Sequence, residues 1–399
     1  MIKINLKDKR YLLGVSGGPD SMALLDICRN KGLYIEVAHV NYHKRASAID
    51  DENLIRKYCE EYHINLHVLD DYFDGKGNFQ AHGREVRYQY YADICKQNNL
   101  DGVLIAHHQD DLLETYIMQK QKNIGVNYYG LASHIIIKGV DVYRPLLKYN
   151  KQDLIDYCMN NNIEYHIDES NLKNDYTRNK IRHEIVDKLS DDDKKQLLKE
   201  IKILNKSKKE ELKILKPYLK KDSYTYEEFI NIPYLNSYLR LLFPDKSAKY
   251  YSEIIRQIKQ DDNFKLIKDN KYLVKEYGMV NIFDKPEDYE YVFNNFGEIE
   301  YKKYDYFKII KKGDSFHSAT INEDDFPITI RNYRSGDYIV MNYGKKKINR
   351  FFIDNKIYLK DRLSYPIVLN KDGSAILVPR IGCDKFHYSH NPNLFMIEL

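Results

Sequence analysis

Apolar and polar positions in the first part of the chain predict strands that alternate with helices. Short apolar runs predict strands at 11–15, 33–40, 64–69, 102–106 and 140–143, and longer amphipathic runs predict helices at 22–28, 51–63, 80–98, 110–121 and 151–162. Strands that alternate with helices of this length predict a parallel sheet covered on both faces. The expected fold class is therefore α/β, with a doubly wound parallel sheet that binds ligands at the carboxyl ends of its strands.

The second part of the chain has shorter and weaker patterns. From Arg178 to about residue 220 the sequence is helical and basic, and residues 250–259 predict another helix. Alternating runs predict strands at 272–274, 280–283, 328–331 and 376–379, and residues 348–355 predict a helix. We expect three domains: a catalytic domain at 1–205, a mostly helical middle domain at 206–310 and a small α+β C-terminal domain at 311–399.

Composition indicates a folded protein of a reducing compartment. Of the 399 residues, 43% are hydrophobic and 31% are charged, and no apolar run approaches the roughly 20 residues that a membrane helix needs. The five cysteines form no C-x-x-C pair, which argues against a disulfide framework, a zinc ribbon or a dithiol redox site. Charges interrupt residues 1–15 where a signal peptide has its apolar core, so we expect a cytoplasmic protein without a membrane segment.

Positive charge is concentrated in two segments, although the net charge is only +4. Residues 178–221 contain 15 basic and 8 acidic residues, and residues 344–362 contain 7 basic and 2 acidic residues. Two basic segments on an otherwise acidic chain favour a polyanionic partner, with nucleic acid first. Solvated lysine-rich faces are the alternative, and the charge pattern alone leaves both open.

The strongest local signal is Val15-Ser-Gly-Gly-Pro-Asp-Ser21, which follows a predicted strand and begins a helix. Two glycines let backbone N–H groups close on a phosphate, and the helix N-terminus adds a positive dipole. The segment is not a Walker A loop. Gly14-Val-Ser-Gly-Gly18 also matches G-x-S-x-G, the turn that presents the nucleophile of serine hydrolases, so a hydrolase that uses Ser16 stays as an alternative.

A second motif, Ala106-His-His-Gln-Asp-Asp111, follows the fourth predicted strand and also begins a helix. Asp110, Asp111 and Glu114 place three carboxylates within the first turns of that helix. Helix capping explains one of them, but three carboxylates beside two histidines favour Mg²⁺ binding or base chemistry. A transition-metal site made of His107, His108, Asp110 and Asp111 is a further alternative.

Together these motifs resemble the N-type ATP pyrophosphatases, the PP-loop superfamily, whose signature S-G-G-x-D-S is matched at Ser16–Ser21. Their order and spacing are similar to those of the tRNA(Ile)-lysidine synthetase family. The supporting segments are His39-Val-Asn41 with Arg45, Arg84-Glu-Val-Arg-Tyr88, Ala106–Asp111 with Glu114-Thr115, Arg144-Pro-Leu-Leu147, Asp168-Glu-Ser-Asn171 with Arg178 and Arg182, Arg331-Asn-Tyr-Arg-Ser-Gly-Asp337 and Phe351-Phe-Ile-Asp354.

The resemblance implies a Rossmann-like PP-loop fold and a carbon–nitrogen ligase. In that reaction ATP adenylates the wobble cytidine of a CAU-anticodon tRNA(Ile), and L-lysine then displaces AMP to give lysidine. The absence of C-x-x-C, and of a cysteine near the N-terminus, argues against the thiolase and glutamine-dependent relatives. Another PP-loop enzyme that modifies tRNA or forms amides remains the alternative, and a homodimer is left open.

The resemblance also implies roles for individual residues. Ser16, Gly17, Gly18, Pro19, Asp20 and Ser21 are expected to hold ATP phosphates, and His39 is expected near the α-phosphate or adenine. Asp20 and Asp110 are expected to bind Mg²⁺, Asp111 or Glu114 to bind the lysine ammonium and accept its proton, and Arg84 to steady the adenylate. Contacts with tRNA phosphates are expected from Arg178, Arg182, Arg331, Arg334, Lys345, Lys346, Lys347 and Arg350.

Overall fold

The computed structural model describes residues 2–44, 48–122, 125–167, 177–244 and 246–399. It divides into two compact units. The first unit contains Met1–Lys213 and Asp245–Ala248, and the second contains Ile214–Pro244 and Lys249–Leu399. Arg45 and Asp168–Asn171, which contribute to the sequence resemblance, lie outside the described residues.

The first unit is an α/β fold. Its elements are β1 (Arg10–Gly14), α1 (Pro19–Asn30), β2 (Tyr34–Asn41), α2 (Ala48–Glu61), β3 (Leu66–Asp70), α3 (Phe79–Gln97), β4 (Gly102–Ile105), α4 (Gln109–Gln121), β5 (His134–Ile137), β6 (Val140–Tyr143), α5 (Lys151–Asn160), α6 (Thr177–Glu184) and α7 (Asp191–Leu215), whose last residues extend into the second unit.

The sheet of this unit has the strand order β3-β2-β1-β4-β6-β5. All neighbouring strands are parallel except β5 and β6, so the predicted doubly wound parallel sheet is confirmed. The sequence analysis missed the edge strand β5. Its turn to β6 consists of Lys138 and Gly139, both with positive φ (52° and 79°), and lysine is a weak sequence signal for such a hairpin turn.

Alternation along β1 buries its side chains on both faces of the sheet. Tyr11 and Leu13 join a core cluster with residues of α1, α2 and α5, whereas Leu12 joins a second cluster with residues of α3. This two-sided burial explains why the strand reads as a continuous apolar run. The strand consequently ends in a fixed position, and the loop that follows it starts from a rigid base.

The second unit contains three sheets. Its elements are β7 (Ser223–Thr225), α8 (Tyr226–Ile230), α9 (Leu235–Leu242), α10 (Ala248–Gln260), β8 (Phe264–Lys268), β9 (Lys271–Glu276), β10 (Met279–Asp284), β11 (Glu290–Phe293), β12 (Phe307–Ile310), β13 (Ser318–Ala319), β14 (Ile328–Asn332), β15 (Tyr338–Met341), β16 (Gly344–Lys347), α11 (Ile348–Asp354), α12 (Leu359–Arg362), β17 (Pro366–Leu369), β18 (Ala375–Val378), β19 (Gly382–Cys383) and β20 (Leu394–Glu398).

The segment expected to be mostly helical also contains a sheet, with the order β7-β10-β9-β8. The strands predicted at 272–274 and 280–283 are confirmed as parts of β9 and β10. Two-residue turns with positive φ, Asp269-Asn270 and Tyr277-Gly278, connect β8, β9 and β10 into a meander. Because these turns are so short, the strands pair locally, and this part of the unit is mixed rather than mostly helical.

All five cysteines are buried and free. Burial raises the pKa of the Cys28, Cys59, Cys95 and Cys158 thiols to about 12. Within the described ranges, no helix is both long and apolar enough to cross a membrane.

We expect Gly14→Ala to destabilise the first unit, because a Cβ on Gly14 would overlap the hydroxyl oxygen of buried Tyr91 and lie 2.8 Å from its Cζ. Overpacking of this kind costs about 1–3 kcal/mol of unfolding free energy. Denaturant unfolding of the full chain measures the loss. Gly18→Ala is the matched control, because its Cβ would meet nothing closer than 3.9 Å. Equal stability of Gly14→Ala and wild type would contradict this packing.

Candidate active site

The loop from Ser16 to Ser21 connects β1 to α1 and is held in the shape of an anion-binding turn. Gly17 has φ of +81°, and Gly18 is the N-cap residue of α1. The Ser21 hydroxyl donates a hydrogen bond to the Gly18 carbonyl (3.0 Å) and accepts one from the Ser16 N–H (3.2 Å). The loop therefore presents the α1 N-terminus without needing a ligand to shape it.

Two further residues, which the sequence motifs did not indicate, hold this loop in position. The His166 N–H donates to the Gly17 carbonyl (3.0 Å), and the His166 ring Nδ1 donates to Asp51 Oδ1 (2.9 Å). Asp51 is buried, and its Cβ would lie 3.1 Å from a Cβ placed on Gly17. The positive φ and this close approach together explain why glycine occupies position 17.

His39 stands at the end of β2, beside the strand that leads into the loop. Its Nδ1 donates to the Val15 carbonyl (2.9 Å), which leaves Nε2 as the acceptor of the neutral ring. That Nε2 is buried, and it has no hydrogen-bond partner among the described residues. His39 therefore offers one unused acceptor close to where the loop begins.

Three carboxylates surround the buried ring of His108, which is 2% exposed. Nε2 of His108 lies 3.6 Å from Asp20 Oδ2 and 3.4 Å from Asp111 Oδ2, and Nδ1 lies 3.5 Å from Asp110 Oδ2. The structure thus places Asp20, from the loop after β1, at the same ring as the acids after β4. Strands β1 and β4 are neighbours in the sheet, which explains the meeting.

This grouping shifts the pKa values of its members. Burial lowers the pKa of His108, but the surrounding aspartates outweigh it and hold that pKa above its usual value. Burial raises the pKa of Asp20. Burial also acts to raise the pKa of Asp110, yet the nearby His108 ring and hydrogen bonds from Lys194 and the Lys151 N–H hold it well below its usual range. The group therefore places a histidine whose charged form is favoured beside a carboxylate, Asp110, whose ionised form is favoured.

Two arginines of α6 neutralise the remaining acids of α4. Arg178 donates from Nε to Glu114 (2.7 Å) and from an Nη atom to Asp111 (2.9 Å), and Arg182 donates from Nε to the other oxygen of Glu114. The Glu114 carboxylate is fully buried. The sequence analysis expected both arginines at tRNA phosphates, but the structure directs their guanidinium groups to these carboxylates.

Lys194, from the first turn of α7, is a further member of the site that the sequence analysis missed. Its Nζ donates to Asp110 Oδ1 (2.9 Å). The apolar sides of α4, α6 and α7 pack together through a cluster that includes Leu113, Tyr116, Ile181 and Ile201. This packing places Arg178, Arg182 and Lys194 beside the acids of α4. The sequence pattern predicts the helices, but it does not show that Lys194 contacts Asp110.

The transition-metal alternative does not agree with the contacts of His107. Arg144 Nε donates to His107 Nδ1 (3.0 Å), so this nitrogen is already used. Burial, with smaller effects of nearby arginines, lowers the pKa of His107 to about 3, which keeps the ring neutral as an acceptor. Within the described residues, no group of three or more His, Cys, Asp or Glu side chains is arranged to hold a metal ion.

The other candidate residues lie elsewhere. Arg84 is exposed on α3 with its guanidinium 4.8 Å from the Tyr88 ring, and its described contacts include no ion pair with the acids of α4. Ser16 Oγ approaches Ser21 Oγ at 3.5 Å, and no histidine within the described ranges hydrogen-bonds to it, so nothing there supports a serine hydrolase.

The candidates in the second unit have different environments. Arg331 is 8% exposed and makes a bidentate pair with Asp337 (2.9 Å for both bonds), so its guanidinium holds a turn. The expected contact of Arg331 with tRNA phosphates stays a prediction, and in this structure its guanidinium is paired with Asp337. Arg334 pairs with Glu290 (3.0 Å) and Arg350 with Asp354 (3.0 Å), both at the surface. Lys345, Lys346 and Lys347 form the solvent-facing strand β16.

Comparisons with known proteins agree with this geometry. The family model of the PP-loop domain matches residues 2–189. The chain is 30% identical to a tRNA(Ile)-lysidine synthase of Mycoplasma mycoides over 93% of this chain and 96% of that protein. It is also 32% identical to one of Mycoplasmopsis pulmonis, over 69% of this chain and 99% of that protein. These matches confirm the resemblance found in the motifs: the chain belongs to the tRNA(Ile)-lysidine synthase family.

Proposed function

We propose that this chain uses ATP to join L-lysine to carbon 2 of the wobble cytidine of a CAU-anticodon tRNA(Ile), with AMP and pyrophosphate as the other products. One observation carries the proposal: the Ser16–Ser21 loop lies beside the three aspartates that surround His108, at the ends of neighbouring strands. The reaction needs a turn that binds the phosphates of ATP and a carboxylate that binds the lysine ammonium and accepts its proton.

The loop and the N-terminus of α1 would hold the β- and γ-phosphates of ATP. Backbone N–H groups at a helix N-terminus stabilise the charge that develops on pyrophosphate as it leaves. His166 would keep the Gly17 carbonyl in position through its N–H, and Asp51 would orient the His166 ring. His39, with its unused Nε2, would contact the nucleotide near the α-phosphate or adenine.

Asp20 and Asp110 are suitable ligands for a magnesium ion. One oxygen of Asp20 is buried and has no partner among the described residues. Asp110 lies at the same histidine, and a magnesium ion there would replace the Lys194 ammonium as the partner of Asp110 Oδ1. Proteins commonly hold Mg²⁺ through one or two carboxylates, with phosphate oxygens and water completing the shell. When bound, the ion would offset the charge that builds up between the α- and β-phosphates.

In the first step, the carbonyl oxygen of the cytidine attacks the α-phosphate, the bond to the β-phosphate breaks, and pyrophosphate leaves. In the second step, the lysine ε-amine attacks carbon 2, the carbon–oxygen bond breaks, and AMP leaves. The amine must give up a proton, because only about one in a thousand such amines is neutral at pH 7. A carboxylate of the site would bind the ammonium and accept that proton.

The contacts favour Asp111 over Glu114 for this task. Both oxygens of Glu114 are taken by Arg178 and Arg182, and the carboxylate has no exposed surface. Asp111 also accepts hydrogen bonds, from Arg178 and from the His108 N–H, but its side chain is 11% exposed and can still be reached by an ammonium group. We therefore assign Glu114 a positioning role that acts through the two arginines. Arg84 would steady the adenylate. Arg334, Arg350 and the lysines of β16, which are exposed, would contact tRNA phosphates.

The function is tested by lysine incorporation. Purified full-length protein, ATP, Mg²⁺ and radiolabelled lysine are mixed with a CAU-anticodon transcript, and a transcript with uridine at the wobble position is the matched control. We expect label only in the CAU transcript, with AMP and pyrophosphate released in equal amounts. Pyrophosphate release without lysine in the RNA would contradict lysine as the nucleophile, and no ATP turnover with either transcript would contradict the whole assignment.

The contacts of Asp51 and His166 with the Ser16–Ser21 loop predict that a change at Asp51 affects the KM for ATP and not the KM for tRNA. Asp51→Ala removes the acceptor of the His166 ring, and His166 in turn holds the Gly17 carbonyl through its N–H. One such hydrogen bond is worth about 1.4 kcal/mol, or a factor of ~10. We therefore expect the KM for ATP to rise roughly tenfold, with the KM for tRNA unchanged.

Asp51→Asn is the matched variant, because its amide oxygen still accepts from His166 Nδ1, and it should stay close to wild type. Steady-state kinetics with each substrate varied in turn measures both constants. An unchanged KM for ATP in Asp51→Ala, or an equal rise in both KM values, would contradict a positioning role.

A further inference from the structure

An aromatic group lies beyond the ends of β2 and β3 that the reaction described above does not use. Tyr42, Phe73 and Phe79 pack edge to face, with ring centroids 5.5 Å apart for Tyr42–Phe79 and for Phe73–Phe79. His82 lies 4.9 Å from Phe73, and the Lys44 ammonium lies 3.8 Å from the Phe79 ring. These side chains form an aromatic cluster with two nitrogen-bearing side chains at its border, at this corner of the sheet.

Above this corner, Tyr72 stacks flat on His43. The two ring centroids are 4.4 Å apart and the ring planes differ by 2°. Tyr72 is 73% exposed, and no other described ring packs against it. One face of the Tyr72 ring is therefore covered by His43, and the other face is open to a flat ligand.

The register of the sheet fixes the His43–Tyr72 pair. Asn41 pairs with Asp70 at the ends of β2 and β3, so the residues two positions further on stand opposite each other. The His43 N–H donates to the side chain of buried Asn41 (3.0 Å), and His43 Nε2 donates to Asp70 (2.6 Å). These bonds orient the imidazole, and the imidazole in turn orients the tyrosine ring before any ligand arrives.

The pair lies at the edge of the sheet where the reaction takes place. The carboxyl ends of β3, β2 and β1 follow one another, and β1 leads into the Ser16–Ser21 loop. Neighbouring strands are about 4.8 Å apart, so β3 is displaced from β1 by roughly 10 Å. A nucleotide joined to the one that reacts can span a displacement of this size.

The geometry points to a base-stacking site: we propose that Tyr72, supported by His43, stacks on an unpaired base of the RNA, namely one of the two nucleotides that flank the reacting cytidine. This rests on the proposed function. Stacking suits any base, because every base has a π face, and it would hold the anticodon loop open beside the cytidine.

The chain contains no tryptophan, which permits a specific test. Tyr72→Trp gives a protein with one indole, at the proposed stack, and Tyr301→Trp gives a control with one indole at an exposed tyrosine of the second unit. Each full-length variant is titrated with the CAU transcript and with transcripts that lack the base at one flanking position.

We expect the indole fluorescence of Tyr72→Trp to be quenched by the intact transcript and by one of the two abasic transcripts, but not by the other. Tyr301→Trp should show no quenching. In addition, Tyr72→Ala should weaken RNA binding by roughly 5- to 150-fold without a change in the KM for ATP, and Tyr72→Phe should bind as wild type does.

Quenching that is absent, or that is the same with all three transcripts, would overturn the proposal. Wild-type affinity of Tyr72→Ala would also overturn it. Lysine incorporation by the wild-type protein is measured with the same transcripts. If the wild type modifies the intact RNA while these results are negative, only the stacking site fails. If the wild type modifies no RNA, the proposed function fails instead.

Discussion

The first turns of α4 bury Asp110, Asp111 and Glu114, and the first unit depends on the cations that neutralise them. An ionised carboxylate that loses its partner inside a protein costs about 3–5 kcal/mol, so these acids are tolerated only with paired charges. Arg178 and Arg182 come from α6 and Lys194 from α7, far along the chain. Residues 177–215 must therefore fold back onto α4, and the apolar cluster shared by the three helices holds them there.

The same constraint shapes the chemistry. Because Glu114 and Asp111 are buried and paired with arginines, their charges have fixed positions, which strengthens electrostatic effects on a reacting phosphate. Asp20 joins this group from the neighbouring strand and brings the phosphate-binding loop with it. His166 holds the carbonyl of Gly17, a residue with positive φ, and Asp51 orients the His166 ring. Binding and reaction are thus built on two adjacent strand ends.

Local patterns predicted the parts of this site that are contiguous in the chain. The turn Ser16–Ser21 and the acids of α4 follow buried strands, and their spacing alone indicated a phosphate loop and a charged helix start. Contacts between distant segments left no such signal. Asp51 looked like an ordinary acid at a helix N-terminus, and Lys194 was one lysine among many in a basic run. The same run did not predict the ion pairs of Arg178 and Arg182 with the acids of α4, since charge density does not reveal which anion each side chain meets.

The central proposal is that one site first adenylates an RNA base and then lets lysine displace AMP from it. The most direct test supplies ATP radiolabelled at the α-phosphate to the full-length protein with the CAU transcript and no lysine. The account predicts that label becomes attached to the RNA and that unlabelled lysine then releases it as AMP. RNA that never carries the label, or label that lysine does not release, would contradict it.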